Sequence, residues 1–427
     1  VAAAAYLARK LDLSRALAFD MGGTTTDVCL ISDGAAETTS QRRLADYPVR
    51  LPMVAVESIG AGGGSLARVD DVGALKVGPQ SAGAVPGPAC YGQGGTEPTV
   101  TDANLVLGYL NPARLYGGSI GLDPDRARRA VEVLGRRLGL STLEAAHGVI
   151  EVANASMLRA LRLVSVQRGH DLRAFSLIAY GGAGPVHAGA LARQCGIARV
   201  VVPAHSGAFS ALGCLVSPLR YDAVQTHRAR LDGWDGKLVE DRYRTLEEQC
   251  LRPILDEGHA PGDVALTRTM DVRYVGQNYE VELPYRSDAA GLRAAFEARH
   301  RQLYGYATGE SVECVNLRVS AQLEAPHPAL SPKGGEGEDF RREHSLPLPP
   351  WGRGQGEGVP TGTQRAYFPE TGEITMPRHD REALAPGAVV SGPAVIEDEW
   401  STIVVYPGQC AAANARGHLV VDLEAGA

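Results

Sequence analysis

The chain has 427 residues with a formal net charge of −7, and 44% of the residues are hydrophobic and 21% charged. This balance is typical of a globular protein of two or three domains; it excludes a disordered polyelectrolyte and argues against a dedicated nucleic-acid binder, which carries a basic surplus. Glycine is in excess, with 51 residues or about 12% of the chain, against a usual value of about 7%.

The cysteines and the hydropathy pattern exclude further classes of protein. The seven cysteines are spread singly, without a C-x-x-C pair, which argues against a disulfide scaffold or a zinc ribbon and favours reduced thiols in a cytoplasmic protein. No apolar run reaches about 18 residues, so we predict no membrane span. The chain begins at Val1 rather than Met, and we expect a processed product or a fragment.

The first predicted elements surround a glycine-rich turn. Residues 1–14 have helical spacing, and residues 16–19 and 28–31 are short apolar strands. Between the strands lies a D-x-G-G-T-T-T-D segment, residues 20–27. Strand, glycine turn and strand together predict a β-hairpin.

Residues 58–101 are dense in glycine but also contain Cys, Tyr, Asp and Arg, which favours an ordered, turn-rich loop system. Strands then alternate with helices, which predicts an α/β domain with a mixed or parallel sheet over residues 1–222. Asp102 and Asp123 are candidate helix N-caps. The predicted elements of this part are helices at 123–139, 143–168 and 186–194 and strands at 175–180 and 199–202.

Beyond residue 222 we predict a smaller α+β domain in two parts, residues 223–325 and 359–427. Its predicted elements are helices at 237–257 and 288–304 and strands at 267–284, 312–324, 389–396 and 402–406. Between the two parts, 13 of the 33 residues of 326–358 are Gly or Pro, so this stretch is predicted to be a disordered insertion. The alternative is a partner motif at Pro347 and Pro350, which form P-x-x-P.

The hairpin carries the first candidate site. Gly22 and Gly23 let an anionic oxygen approach the backbone N–H groups, and the hydroxyls of Thr24, Thr25 and Thr26 add donors. A carboxylate beside them, that of Asp20, is suited to hold a hydrated Mg²⁺ or to orient a water molecule. These features fit the phosphates of a nucleotide, although a plain tight hairpin remains the alternative.

The second candidate is the turn from a predicted strand into a helix at residues 180–187. Gly181, Gly182 and Gly184 allow a flat ligand to pack against the backbone, and a helix N-terminus favours anions. His187 lies in the first turn of that helix, where it either contacts the ligand or is structural.

The third candidate is a run of three glycines and a serine that is similar to a phosphate cradle. It lacks the lysine of a P-loop, so a ligand-facing loop and a plain turn are both open. The run consists of Gly62, Gly63, Gly64 and Ser65.

Together these segments resemble the hydantoinase A / 5-oxoprolinase family. The resemblance rests on residues 18–28, 58–65, 77–83, 86–92, 95–102 and 181–188 and extends from about residue 1 to 222. The rest of the chain is similar to the family's C-terminal region, except that the insertion at 326–358 departs from the pattern. The resemblance implies an ATPase lobe like those of actin and sugar kinases, with ATP and Mg²⁺ as cofactors. In the family a second D-x-G-G-T hairpin lies in an N-terminal lobe, and this sequence contains one such hairpin, so we expect an incomplete chain.

The resemblance implies ATP-dependent opening of a cyclic amide of the hydantoin or 5-oxoproline type, through phosphorylation of its carbonyl oxygen. Asp20, Thr25 and Asp27 are the implied catalytic residues, with Asp20 the metal ligand; Asp27 alternatively braces the turn. Two alternatives stay open: a ketone carboxylase subunit of the acetone or acetophenone type, and an inactive interaction module. Implied partners are a small cyclic amide or ketone and a second subunit of the hydantoinase B type, in a homo- or hetero-oligomer, with neither nucleic acid nor membrane.

Overall fold

The computed structural model describes residues 1–39, 42–44, 47–49, 53–113, 121–166, 169–323 and 358–423. The chain forms two compact units, residues 1–215 with 332–427, and residues 216–331. The described helices are α1 (Ala2–Lys10), α2 (Val100–Val106), α3 (Pro124–Leu138), α4 (Thr142–Val164), α5 (Gly184–Cys195), α6 (Phe209–Val216), α7 (Gly236–Asp256) and α8 (Ala289–Tyr304).

The described strands are mostly short, and most of them belong to the first unit. They are β1 (Arg15–Met21), β2 (Thr26–Ser32), β3 (Ala35–Ala36), β4 (Thr38–Thr39), β5 (Arg42–Leu44), β6 (Tyr47–Val49), β7 (Met53–Val54), β8 (Glu57–Ile59), β9 (Ser65–Val69), β10 (Leu75–Ser81), β11 (Ser176–Tyr180), β12 (Arg199–Val202), β13 (Leu219–Arg230), β14 (Val264–Tyr274), β15 (Val281–Pro284), β16 (Val312–Leu323), β17 (Gly362–Phe368), β18 (Gly372–Asp380), β19 (Val389–Ser391), β20 (Ala394–Glu397), β21 (Thr402–Val405), β22 (Cys410–Ala413) and β23 (Leu419–Asp422).

The first unit is built on a nine-stranded mixed sheet. Its order is β19-β22-β23-β12-β11-β1-β2-β3, and β8 pairs with β2. The β1–β11 and β11–β12 pairs are parallel, whereas β1–β2 and β12–β23 are antiparallel. The prediction of a mixed α/β fold is therefore confirmed.

Helices cover both faces of this sheet because its central strands are apolar on both sides. Along β1, Leu17 and Phe19 belong to the core that includes α4 and α5. Ala16 and Ala18 point to the other face and pack with α1. The first unit is thus a three-layer arrangement of helix, sheet and helix.

Helix boundaries in the first unit follow local capping chemistry. Asp123 caps α3 by accepting from the N–H groups of Asp125 and Arg126, as predicted. The cap of α2 differs from the prediction: Thr99 is the N-cap, and Asp102 is the third residue of a capping box. In this capping box the Asp102 carboxylate accepts a hydrogen bond from the Thr99 N–H at 2.9 Å, so Asp102 lies inside the helix rather than at its cap.

The second unit is an antiparallel four-stranded sheet, β13-β16-β14-β15, with α7 and α8. Residues of both helices share a single core with the sheet, including Tyr243 of α7 and Phe296 of α8. This unit contains both helices and antiparallel strands, as predicted for an α+β domain. The unit begins near residue 216 rather than 223.

Residues 359–427 do not join that unit, which corrects the expected division of the chain. Strands β19, β22 and β23 extend the large sheet through β12, and β17-β18-β20-β21 form a separate sheet within the first unit. The apolar side chains of Val390 and Val404 belong to the same core as β1 and α4. The predicted insertion at 326–358 lies outside the described residues, apart from Gly358.

Candidate nucleotide cleft

The hairpin between β1 and β2 ends in a turn that offers free backbone donors. Met21 lies opposite Thr26, so residues 22–25 form the turn, and the Gly22 N–H donates to the Thr25 carbonyl at 3.1 Å. Gly23, Thr24 and Thr25 are exposed. Within the described parts of the chain, no protein group accepts a hydrogen bond from their backbone N–H groups. An anionic oxygen is the kind of ligand that such donors bind.

The loop 62–65 lies against this turn backbone to backbone. The N–H of Gly63 donates to the Gly22 carbonyl at 3.0 Å, and that of Gly64 donates to the Gly23 carbonyl at 2.6 Å. A Cβ atom on Gly62 would lie 2.5 Å from the Thr24 nitrogen. Glycine is required in this loop because two backbone segments approach more closely than a side chain permits.

The turn at residues 181–183 packs against the hairpin turn on the side of α5. Gly181 has a φ of +82°, in the left-handed region that favours glycine. Its N–H donates to the Ser206 carbonyl at 2.9 Å, and the Ala183 N–H donates to the Met21 carbonyl at 3.0 Å. The N-terminus of α5 is thereby fixed beside the hairpin turn, where the helix dipole favours negative charge.

These segments enclose an open cleft of about 170 Å³. No charged side chain belongs to its wall, so its polarity comes from backbone groups and from the side chains of Tyr91, Thr101, Asn104 and Trp400. The residues lining the cleft are Gly22, Gly23, Gly63, Gly64, Gly83, Pro88, Tyr91, Thr101, Asn104, Leu110, Gly182, Ala183, Val186, Gly207 and Trp400.

Asp20 and Asp27 lie directly opposite each other in the β1–β2 pair, so their side chains project from the same face of the sheet. The Ser210 hydroxyl donates to Asp20 Oδ2 at 2.7 Å. Burial raises the pKa of Asp20, and the nearby Asp27 carboxylate adds to this, while the Ser210 hydrogen bond opposes it. Neither carboxylate lines the cleft.

Three of the predicted ligand residues have structural partners instead. Thr26 is fully buried, and its hydroxyl donates to the Ala61 carbonyl at 2.6 Å. Ser65 is also fully buried, and its Oγ accepts from the Gly62 N–H at 2.8 Å. Both hydroxyls brace the loops of the cleft rather than facing into it.

His187, the third of these, is fully buried behind the cleft and structural in its contacts. Its Nδ1 lies 2.8 Å from Asn154 Oδ1, and its Nε2 lies 3.3 Å from Asn104 Nδ2. Burial lowers the pKa of His187 to about 4, so the ring is neutral near pH 7. In this neutral ring, Nδ1–H donates to Asn154 and Nε2 accepts from Asn104, which lines the cleft.

The remaining predicted residues divide in the same way. Gly22, Gly23, Gly63, Gly64 and Gly182 line the cleft, and Thr24 and Thr25 are exposed beside it. By contrast, Gly62, Gly181 and Gly184 pack against the backbone or side chains of their neighbours.

Sequence reasoning did not identify Thr101, Asn104 or Trp400 as part of the cleft. Thr101 and Asn104 are one turn apart on α2, and the Thr101 hydroxyl donates to the Gly63 carbonyl at 2.8 Å. Two polar residues at this spacing lie on one face of the helix, which is a signal that could have found them. Trp400 comes from the distant C-terminal segment, and no local pattern marks it.

The described part of the chain contains neither a membrane-spanning helix nor a cluster of metal-ligating side chains. None of its helices is long and apolar enough to cross a membrane. Nor does that part bring three or more His, Cys, Asp or Glu side chains together in a group that could hold a metal ion.

Comparison with known proteins gives several related sequences. The chain is 36% identical over 415 residues to the caprolactamase subunit alpha of Pseudomonas jessenii, covering 94% of this chain and 57% of that protein. It is 32% identical over 432 residues to the acetone carboxylase beta subunit of Xanthobacter autotrophicus, covering 96% of this chain and 58% of that protein. The chain thus spans less than two thirds of the length of these relatives.

The fold agrees with these sequence matches. The crystal structure of the ATP-dependent caprolactamase from Pseudomonas jessenii superposes with a TM-score of 0.80 at 33% identity, covering 99% of this chain and 60% of that one. The profile of the family described as hydantoinase/oxoprolinase matches residues 1–223, more than half of the chain. The chain therefore belongs to the hydantoinase/oxoprolinase family.

Proposed function

We propose that this chain binds the phosphates of ATP in the cleft and serves as part of an enzyme that opens a cyclic amide at the expense of ATP. The observation that carries the proposal is the exposed turn at residues 23–25, where the backbone N–H groups have no acceptor in the described chain. Gly22 and Gly23 have open space where a Cβ atom would be, so phosphate oxygens can reach the backbone. The caprolactamase relative supports the cyclic-amide class.

In this proposal the described residues supply one wall of the nucleotide site. The cleft of about 170 Å³ is smaller than the roughly 300–1,000 Å³ of pockets that enclose a drug-sized ligand. The cleft therefore contacts only part of a nucleotide, and further walls would enclose the rest. An actin-like pair of lobes around the nucleotide, as the family resemblance implies, would supply them.

Asp20 and Asp27 would hold a hydrated Mg²⁺ in this proposal, because their side chains share one face at the end of the hairpin. Mg²⁺ keeps several of its waters and is commonly bound by one or two carboxylates. When bound, the ion would offset the charge of the phosphates. Of the chain's own residues, Ser210 fixes one Asp20 oxygen and leaves the other for a water molecule.

The proposed reaction overcomes the resonance stability of an amide. Transfer of the terminal phosphoryl group of ATP to the carbonyl oxygen releases ADP and makes the carbonyl carbon electrophilic. Water adds to that carbon, the ring C–N bond breaks as the nitrogen takes up a proton, and an acyl phosphate remains. A second water then releases phosphate and leaves the free carboxylate. In this reaction the chain would hold the phosphates at residues 22–25. No charged side chain lines the cleft, so none repels the phosphates there. Thr25 stays in our proposal as the residue beside the transferred group.

The acetone carboxylase relative favours a second candidate function, ATP-dependent carboxylation of a ketone. We expect a second subunit in either case, because both relatives are named as subunits. A cytoplasmic location remains a prediction that rests on the seven dispersed cysteines.

Two measurements test the proposal. Isothermal titration calorimetry of the 427-residue chain with Mg-ATP should give saturable heat, which substitution of Gly23 should abolish or weaken. In the assembled enzyme, ADP release should depend on a lactam, hydantoin or 5-oxoproline. Release that requires a ketone with bicarbonate and ignores cyclic amides would select the carboxylase, and release independent of Asp20→Ala would refute the site.

A further inference from the structure

Trp400 is an exposed aromatic side chain in a cleft in which seven of the fifteen lining residues are glycines and the other aromatic residue is Tyr91. It lies in the turn between β20 and β21, far from the hairpin in sequence, and is 39% exposed. It lines the same cleft as Gly22, Gly23 and Gly182. Trp400 therefore presents a large aromatic surface to a concave site, and such side chains bury much area when a ligand packs on them.

The turn that carries Trp400 is held rigidly by a buried carboxylate. Asp398 accepts from the backbone N–H of Trp400 at 2.8 Å and from that of Ser401 at 2.6 Å. The same side chain accepts from Arg381 Nη1 at 3.0 Å, and both partners of this ion pair are buried. Arg381 Nη2 also donates to the Val202 carbonyl at 2.8 Å, which anchors the turn to the large sheet.

A second set of contacts ties this turn to the glycine turn of the cleft. The hydroxyls of Ser401 and Ser206 lie 2.6 Å apart, and the Ser206 carbonyl accepts from the Gly181 N–H at 2.9 Å. Gly207 packs directly against Trp400, since a Cβ atom on this glycine would overlap Trp400 Cβ. The position of Trp400 relative to residues 181–183 is therefore built into the packing of the first unit.

The wall of the cleft combines two kinds of group. The turn at residues 23–25 has N–H donors without an acceptor in the described chain, and the lining also includes the indole of Trp400 and the backbone of Gly182 and Gly207. An indole beside glycine backbone suits a flat ring, because aromatic rings stack and glycine leaves room for the ring. We propose that Trp400 is the platform on which the purine ring of the bound nucleotide stacks, with Asp398 as the residue that positions it.

This proposal rests on the proposed binding of ATP, but it makes a separate prediction. Loss of the indole should weaken binding of the base and leave binding of the phosphates unchanged. Base stacking on an aromatic side chain is commonly worth a tenfold or larger change in affinity. Inorganic tripolyphosphate is a probe of the phosphate contacts alone.

The experiment compares the 427-residue chain with Trp400→Ala and Trp400→Phe by isothermal titration calorimetry, using Mg-ATP and tripolyphosphate. We expect Trp400→Ala to weaken ATP binding about tenfold or more, Trp400→Phe to retain most of it, and tripolyphosphate binding to be the same in all three proteins. Thermal unfolding of each variant verifies that the fold is retained.

Tryptophan fluorescence gives an independent readout, because the chain contains only Trp234, Trp351 and Trp400. ATP should quench the emission of the parent chain and of Trp234→Phe, but not that of Trp400→Phe. Wild-type affinity of Trp400→Ala for ATP, with heat of ATP binding intact, would overturn the stacking role and leave the proposed function standing. Absence of ATP heat in the parent chain would overturn both.

Discussion

The glycines around the cleft fall into two classes, according to what a Cβ atom would meet. A Cβ on Gly22 or Gly23 would have nothing within 4 Å, whereas a Cβ on Gly62 would lie 2.5 Å from Thr24 N and 2.6 Å from Gly23 C. The first class keeps space open for a ligand. The second lets two loops pack, and only the structure separates the two.

This difference predicts opposite consequences for two substitutions of the same kind. Gly23→Ala should change the free energy of unfolding by no more than about 0.5 kcal/mol yet reduce ATP affinity about tenfold or more, because its Cβ enters the cleft. Gly62→Ala should lower stability by about 1–3 kcal/mol, because a backbone segment must move. Urea denaturation and calorimetry of both variants measure the two effects; equal losses of stability would contradict the classification.

His187 makes stability depend on pH in a defined window. The unfolded ring has a pKa near 6.5 and the folded ring one of about 4, so the unfolded state binds more protons between these values. The stabilisation is complete above pH 6.5 and is lost as the pH falls towards 4, by about 3 kcal/mol in total. His187→Gln should remove this part of the pH dependence.

Urea denaturation at pH 7 and at pH 4.5 measures the change, with the exposed His205 as a matched control. His205→Asn removes an exposed histidine without straining the backbone, since asparagine tolerates the positive φ of 51° there. A pH dependence of His187→Gln equal to that of the parent chain would show that another group is responsible.

At the scale of elements, the sequence located most helices and strands of the first unit because their signals are local. The D-x-G-G-T hairpin, the cap of α3 and the apolar stripe of α4 each depend on neighbours within a few residues. The predictions were wrong where strands pair with segments that are far away in the sequence. The expected strand at 389–396 is two strands, β19 and β20, in different sheets.

Helix α2 provides an element-scale prediction. The Asp102 carboxylate is fully buried and accepts from the N–H groups of Ala89, Cys90 and Thr99 at 2.8–3.1 Å. Asp102→Ala would leave these donors unpaired and should cost about 3 kcal/mol or more, because each buried donor without a partner costs about 1–3 kcal/mol.

Asp123 is the matched control, because it caps α3 at an exposed position. Asp123→Ala should cost clearly less than Asp102→Ala, because water replaces the lost cap at an exposed helix end. Denaturant midpoints of the two variants decide the comparison. Similar losses would mean that Asp102 is merely a cap and does not fasten α2 to the loop at residues 89–90.

For the whole molecule, the decisive feature is that the C-terminal segment completes the first unit. Val420 and Val421 of β23 pair with Val201 and Val200 of β12, and residues of β20 and β21 enter the same core as β1. The chain therefore returns to its first unit after building the second one. The C-terminal segment also brings Trp400 to the cleft.

This topology predicts the behaviour of truncated chains. Residues 1–215 alone should aggregate or lack a cooperative unfolding transition, because β12 would become an exposed edge and the core would lose one side. Co-expression with residues 358–427 should restore cooperative unfolding. Circular dichroism during thermal unfolding measures both.

The second unit serves as the control for this experiment, since residues 216–331 have a core of their own. That fragment should unfold cooperatively without the rest of the chain. Cooperative unfolding of residues 1–215 alone would refute the requirement for the C-terminal strands.

The sequence by itself determined the α/β class, the hairpin and the family, because these depend on short apolar runs, glycine turns and motifs contiguous in the chain. It also placed Gly22, Gly23, Gly63, Gly64 and Gly182 among the candidate ligand residues, and these line the cleft. Only the tertiary structure showed that the side chains of Thr26, Ser65 and His187 hydrogen-bond to the protein. A hydroxyl or an imidazole can bind either a ligand or the protein, and the sequence does not show which groups lie next to it. The tertiary structure alone brought Trp400 to the cleft and residues 359–427 into the first unit, since strand pairing between distant segments leaves no local pattern.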